Sequence, residues 1–292
     1  MSSPVIAVCS NKGGVGKTTV ATNLAIYVRA LHDDLPVLLV GLDDQSVIDR
    51  MFRIRRPTPG EGHLKHGWAE RSLERVVQLG QYGVHFVPPP PDTALLKHRA
   101  EDPHTLRNIL ARTAFEGLVL LDTKSDLEAL TVNALHAASL AILPVADWTS
   151  LEEAGKVFDL VEKGRLAVRP RVLLTLVDRR TRLEGSSQDL VARLGDALDA
   201  RSWPRFRTEL SRSPRVEALN SAAQNPGSIL HHARGTKVHQ EMHALALEVC
   251  AEAGLAPSPA EAAPVAAAPG SGAGSLKRAL LRGLRGPSSP AG

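Results

Sequence analysis

The chain predicts a doubly wound α/β fold, a mostly parallel sheet with helices on both faces. Three observations carry that expectation. Short apolar runs recur from residue 4 to residue 177. Stretches with helical spacing separate most of them. The first run leads through glycines into a helix and then a second run, the strand–loop–helix–strand unit from which parallel sheets are built.

Taken in order, residues 4–10 form an apolar run that ends at Asn11 and glycines, a buried strand feeding a turn. Residues 18–31 place Val20, Leu24, Ile26, Tyr27 and Leu31 at helix-compatible positions. Residues 36–40 read as a second buried strand. Further strands are expected at 84–87, 117–121, 140–145 and 172–177. The first of these ends in four prolines and the second in Asp122. Helices are expected at 105–113, 127–138, 150–162 and 187–200, with a closing helix at 238–253. Residues 46–110 otherwise carry no signature that places them. Residues 1–254 are thus expected to make one domain. Beyond it the chain is almost entirely Ala, Pro, Gly and Ser up to residue 274. Such a segment buries too little apolar surface to offset chain entropy, so 255–274 is expected to be a disordered linker. Residues 275–292 follow as a basic tail.

Composition removes several classes of function. Hydrophobic residues at 43% permit a core without disulfides or structural metal. No apolar run approaches the roughly 18–20 residues that cross a bilayer as a helix. The N-terminal stretch lacks the pattern of a secretory signal, so the cytoplasm is the expected compartment. Cys9 and Cys250 lie far apart and in no paired motif, which argues against a disulfide scaffold, a zinc ribbon or a redox pair. Both read as small buried hydrophobes. Aromatic residues at 3% are too few for a protein that grips single strands by stacking. The eleven histidines form no HExxH or His–Cys cluster, so no metal beyond Mg²⁺ is expected.

The residues that carry chemistry are Gly13, Gly14, Val15, Gly16, Lys17, Thr18 and Thr19, preceded by Asn11 and Lys12. They follow a strand and open a helix. Glycines let backbone N–H groups converge on phosphate oxygens, and the helix start adds partial positive charge. In such a loop Lys17 reaches the β- and γ-phosphates, and Thr18 ligates Mg²⁺. The fold is then that of a P-loop NTPase, with ATP and Mg²⁺ as the expected cofactors.

The spelling differs from the common phosphate loop, because Asn11 stands at the first glycine position and Lys12 follows it. In this the sequence resembles the deviant Walker A ATPases that include ParA and MinD. The resemblance implies that Lys12 reaches across an ATP-dependent homodimer to the phosphates of the partner subunit. It extends along roughly residues 4–250. The stretch Gly41-Leu42-Asp43-Asp44-Gln45 resembles the family's Asp-x-Asp-Pro-Gln, with Gly41 in place of the first aspartate and Asp44 in place of the proline. Asp43 matches the second aspartate, which orients the attacking water. Asp122-Thr123 matches Asp-Thr-Pro, whose aspartate holds Mg²⁺, with Lys124 in place of the proline. Pro144-Val145 with Ser150-Leu151-Glu152, and the stretch from Val177 to Arg182, resemble later family segments. Lys12, Lys17 and Asp43 are the implied catalytic residues, and Thr18 and Asp122 the implied metal ligands. Thr123-Lys124-Ser125-Asp126 also spells the guanine-reading motif of GTPases, but it abuts the Walker B aspartate instead of following a later strand.

Charge supplies the second functional hint. Between Lys163 and Arg215 thirteen Lys/Arg face six Asp/Glu, and twelve of the thirteen are arginine. Arginine suits bidentate contact with phosphate. The resemblance implies non-specific DNA binding in this region, with Arg179, Arg180, Arg182, Arg212 and Arg215 as candidates. Such binding weakens strongly with salt. In the tail, Leu276, Leu280 and Leu284 align on one helical face opposite Arg278, Arg282 and Arg285. That pattern reads first as a solvated basic tail that grips DNA or a partner, with an anionic membrane surface as the alternative. The expected function is an ATP-dependent dimerising switch that binds DNA and positions a chromosome, plasmid or protein cluster. Hydrolysis, slow and stimulated by an unidentified partner protein, resets it. A MinD-like membrane-surface ATPase and a non-hydrolysing ATP-bound adaptor are the alternatives. Nucleoid association, or peripheral attachment to a membrane, accompanies the respective readings.

Overall fold

The computed structural model of the chain describes residues 3–43, 47–56, 61–90, 96, 98–179, 189–221 and 226–255. Asp44, Gln45, Arg180 and Arg182 lie outside the described residues, as do 256–292 with the expected linker and basic tail.

The phosphate-loop half contains strand β1 (Val5–Val8), helix α1 (Lys17–Leu31), β2 (Val37–Gly41), α2 (Val47–Phe52) and α3 (Leu64–Glu70). Two short strands follow, β3 (Gln78–Leu79) and β4 (His85–Val87). The chain continues through α4 (Thr105–Arg112), β5 (Leu118–Asp122), α5 (Ala129–Ala137), β6 (Leu140–Val145), α6 (Trp148–Lys163) and β7 (Arg169–Leu174). It closes with α7 (Leu190–Ala200), α8 (Pro214–Ser221), α9 (Ile229–His232) and α10 (Lys237–Glu252).

The seven strands lie in the order β3-β4-β2-β5-β1-β6-β7. All pairs are parallel except β3 with β4. The central strands are apolar at nearly every position because both of their faces are covered. Ile6 and Val8 of β1 face the core that holds α1, α2 and α10. Ala7, with Cys9 just past the strand, faces the core that holds α3 to α7. This two-sided burial is the doubly wound arrangement that the alternation of runs predicts. Cys9 and Cys250 are fully buried and unpaired, as small hydrophobes.

Two prolines sit inside strands without breaking the ladder. Even-numbered residues of β6 turn toward β1, where Cys9 N–H donates to Ile142 O at 3.0 Å. The β1 register ends opposite Ile142, so Pro144 lies past the last ladder bond. In the edge strand β7 even-numbered residues turn outward, as the Val172 N–H bond to Pro204 O shows. Pro170 therefore lacks a donor where the sheet offers no strand partner.

The last strand corrects the sequence-based expectation of 172–177: it runs from Arg169 to Leu174. Pro170 disguises its start. Its end comes early because Leu176 takes a left-handed φ of 53° and Val177 bridges to Ser211 instead. One glycine marks a close approach. A Cβ on Gly117 would lie 2.1 Å from Pro36 O, where Leu118 N–H bonds the same carbonyl.

Candidate functional site

The glycine loop leaves the carboxyl end of β1, the strand flanked by β5 and β6. Gly14 and Gly16 take φ of 76° and 93°, a region that side chains with a Cβ rarely adopt. Gly13 and Val15 complete the turn; Val15 is buried, and its carbonyl accepts from Thr175 Oγ1 at 2.9 Å. Gly16 is the N-cap of α1 and supplies no side-chain cap. The first backbone N–H groups of α1 thus have no side chain competing for them, the situation in which a helix start receives an anion.

Lys17 begins α1 and is buried, 6% exposed. Its ammonium donates to Lys12 O at 3.1 Å and to Ser125 Oγ at 2.6 Å. Burial lowers its pKa, while Asp122 and Asp43 pull the other way. Asp122 closes β5 opposite Gly41 of β2. Its Oδ1 is buried and has no hydrogen-bond partner among the described residues. Burial pushes its pKa up to about 7, against a hydrogen bond with Thr18 and the charge of Lys17; the nearby Asp43 pushes it further up. Asp43 is buried as well. The structure thus brings Lys17 and Thr18 of the loop motif together with Asp43 and Asp122, the aspartates that the family resemblance singles out. Gly41 also finds a reason. A Cβ there would sit 2.8 Å from Ile48 Cδ1 of α2, so a side chain at this position would require that methyl to move.

Lys12 points elsewhere. Its Nζ pairs with Asp147 Oδ2 at 2.5 Å. Asp147 is the N-cap of α6, accepting from Ser150 N–H at 2.9 Å while Ser150 Oγ accepts from Asp147 N–H at 2.9 Å. The asparagine beside Lys12 makes a parallel contact, with Asn11 Nδ2 donating to Glu153 of the same helix. Burial opposes ionisation of Asp147, but hydrogen bonds from Lys12 and Ser150 hold its pKa below the usual carboxylate range.

On the other flank of the loop a cleft of about 570 Å³ opens, lined by Gly14, Gly16, Thr19, Thr175, Asp178 and Asn220 among others. Asn220 Nδ2 donates to Thr19 Oγ1 at 3.0 Å, so α8 is joined to α1. Among the basic candidates, Arg179 is exposed but paired with Glu209 at 2.6 Å and Asp189 at 3.5 Å. Arg212 pairs with Glu217 at 2.8 Å and lines the cleft. Arg215 is exposed on α8.

Sequence reasoning passes over Asp147, Glu153, Ser125, Thr175 and Asn220. Asp147 carried a readable signal, because Asp followed three residues later by Ser at a helix start is a capping pattern. The others carried none, since their partners lie more than a hundred residues away. The guanine-motif spelling has a local explanation. Asp126 Oδ1 accepts from Glu128 N–H and Thr131 Oγ1, both at 3.1 Å, and so serves the start of α5.

Comparison with known proteins agrees with this geometry. The CobQ/CobB/MinD/ParA nucleotide binding domain matches residues 6–220. The chromosome-partitioning ATPase Soj of Thermus thermophilus is 37% identical over 185 residues, covering 61% of this chain and 71% of that protein. The chromosome partitioning protein ParA of Caulobacter vibrioides is 30% identical over 209 residues, covering 66% and 78%. The septum site-determining protein MinD of Pyrococcus horikoshii, solved with Mg-ADP, superposes with a TM-score of 0.65 at 22% identity over 86% of this chain and 98% of that one. At that identity the likeness speaks for the fold.

Proposed function

Because the chain belongs to the CobQ/CobB/MinD/ParA family of nucleotide-binding domains, we propose that it is an ATPase of the partitioning type. In this reading it pairs with a second copy around ATP, binds DNA without reading its sequence, and positions a cargo until hydrolysis resets it. The observation that carries the reading is one convergence at the carboxyl ends of β1 and β5. Two left-handed glycines, a helix start without a side-chain cap, a buried lysine and a buried carboxylate oxygen with no hydrogen-bond partner among the described residues meet there.

The residues fit Mg²⁺. Asp122 Oδ1 is an orphaned hard oxygen, hydrogen-bonded Thr18 lies beside it, and Mg²⁺ favours one or two such protein oxygens together with phosphate. When bound, the ion neutralises charge building on phosphate oxygens. The residues of the chain do the rest. Gly13, Gly14, Val15, Gly16, Thr18 and Thr19 direct backbone N–H groups at the phosphates. Lys17 exchanges its bond to Lys12 O for phosphate oxygens. Asp43 accepts a hydrogen bond from the attacking water and so orients it. Lys12 leaves Asp147 and reaches the phosphates of the partner subunit, which makes the nucleotide part of the dimer interface. Arg215, with Arg179, Arg180, Arg182 and Arg212, contributes to contact with the DNA backbone.

The test measures nucleotide binding and oligomeric state of the full chain. Lys17→Ala should abolish detectable ATP binding. Lys12→Ala should still bind ATP yet elute as a monomer in its presence, and Asp43→Ala should accumulate as an ATP-held dimer. A Lys12→Ala protein that dimerises normally with ATP would overturn the cross-subunit role.

A further inference from the structure

Resting on the nucleotide-site reading above, we infer that Ser125 is a specificity-determining residue. Its hydroxyl bridges Lys17 to the terminal phosphate and so favours a nucleoside triphosphate over a diphosphate.

Three observations place it. Ser125 Oγ accepts from Lys17 Nζ at 2.6 Å, shorter than the 3.1 Å contact of the same ammonium with Lys12 O. A hydroxyl that accepts from an ammonium keeps its own proton to donate, and no acceptor for that proton is found among the described residues. The hydroxyl also stands over the start of the glycine loop, 3.8 Å from where a Cβ on Gly13 would lie.

The direction of the site then decides which phosphate it meets. The cleft large enough for a nucleoside runs from Asn220, Thr19 and Thr175 along the loop to Gly14 and Ala146. Ser125, Gly13 and Lys12 are absent from that lining and lie just beyond its Gly14 end. A nucleotide seated in the cleft runs its phosphates along the loop toward Lys12 and Gly13. The last phosphate of a triphosphate arrives where Lys17 and Ser125 meet, and a diphosphate stops short.

The experiment titrates the full-length protein, with Mg²⁺, against a fluorescent non-hydrolysable ATP analogue and the matching ADP derivative. Wild type, Ser125→Ala and Ser125→Thr are compared, with thermal melting as a check on folding. One lost charge-assisted hydrogen bond corresponds to about a tenfold change in affinity. Ser125→Ala should weaken the triphosphate analogue about tenfold and the diphosphate less than about twofold, while Ser125→Thr should keep most of the discrimination. Equal weakening of both nucleotides, or of neither, would overturn the assignment to Ser125 while leaving the nucleotide site intact. Failure of the wild type to bind either nucleotide would remove the site itself, and the inference with it.

Discussion

Asp122 concentrates the electrostatics of the site in one side chain. Its carboxyl is pushed up to about 7 mainly by burial, well above its ordinary value. A raised carboxyl pKa means that the fold holds its proton more tightly than the unfolded chain does. The stabilising proton is fully bound below the unfolded pKa and is lost as pH rises through the folded one. Between about pH 4 and pH 7, Asp122 should therefore subtract stability with rising pH. Asp122→Asn should flatten that part of the stability profile, measured by denaturant unfolding without added nucleotide or Mg²⁺. An unchanged slope in the variant would mean that other groups set it. At this scale Lys17 and Thr18 were legible from the phosphate-loop spelling, while Asp43 and Asp122 were legible only through the family resemblance. Ser125 was not, since its role follows from a 2.6 Å contact across more than a hundred residues. Asp147 was half legible, visible as a helix cap but not as the partner of Lys12.

Among the elements, α6 links the cap of a helix to the freedom of a lysine. Asp147 both caps α6 and holds Lys12. The ion pair is partly exposed, at 30% and 42%, and such pairs contribute only about 0.2–1 kcal/mol. An N-cap contributes about 1 kcal/mol. The two duties separate by substitution. Asp147→Asn keeps a capping oxygen but removes the charge, so it should leave the melting temperature nearly unchanged and shift ATP-dependent dimerisation to lower protein concentration. Asp147→Ala should release the lysine equally and also lose about 1 kcal/mol of stability. Light scattering across a concentration series, beside thermal melts, reads both effects. A dimerisation midpoint unmoved in both variants would show that the ion pair does not restrain Lys12. Element lengths also explain which parts of the fold could be read ahead. Helices of fifteen or sixteen residues, such as α1, α6 and α10, display a full apolar periodicity. In the stretch that carried no signature, α2, α3 and β3 span six, seven and two residues. No period can be recognised over one or two turns, and their apolar positions are set by the sheet and helices they cover.

Across the whole molecule, five arginines of the basic stretch are already paired with carboxylates. Arg169 and Arg171 share Glu252, Arg205 meets Asp199, Arg179 meets Glu209 and Asp189, and Arg212 meets Glu217. A paired arginine releases fewer counterions when it reaches a phosphate. Arg215→Ala should therefore reduce the salt slope of DNA binding by nearly one, and Arg179→Ala by less, in titrations of one duplex across a salt series. Equal slopes for wild type and Arg215→Ala would take that residue out of the DNA contact.

The sheet order has a bearing on synthesis as well. β1 emerges first, yet its neighbours are Val119–Asp122 on one side and Leu140–Ile142 on the other. At roughly 5–20 residues per second, a ribosome spends on the order of ten seconds making those partners after the glycine loop is already in the cell. Throughout that interval this apolar strand has none of its sheet neighbours beside it. Holdases that shield short hydrophobic segments would find a substrate in this strand, and the phosphate loop would take its shape only after β5 and β6 had been translated.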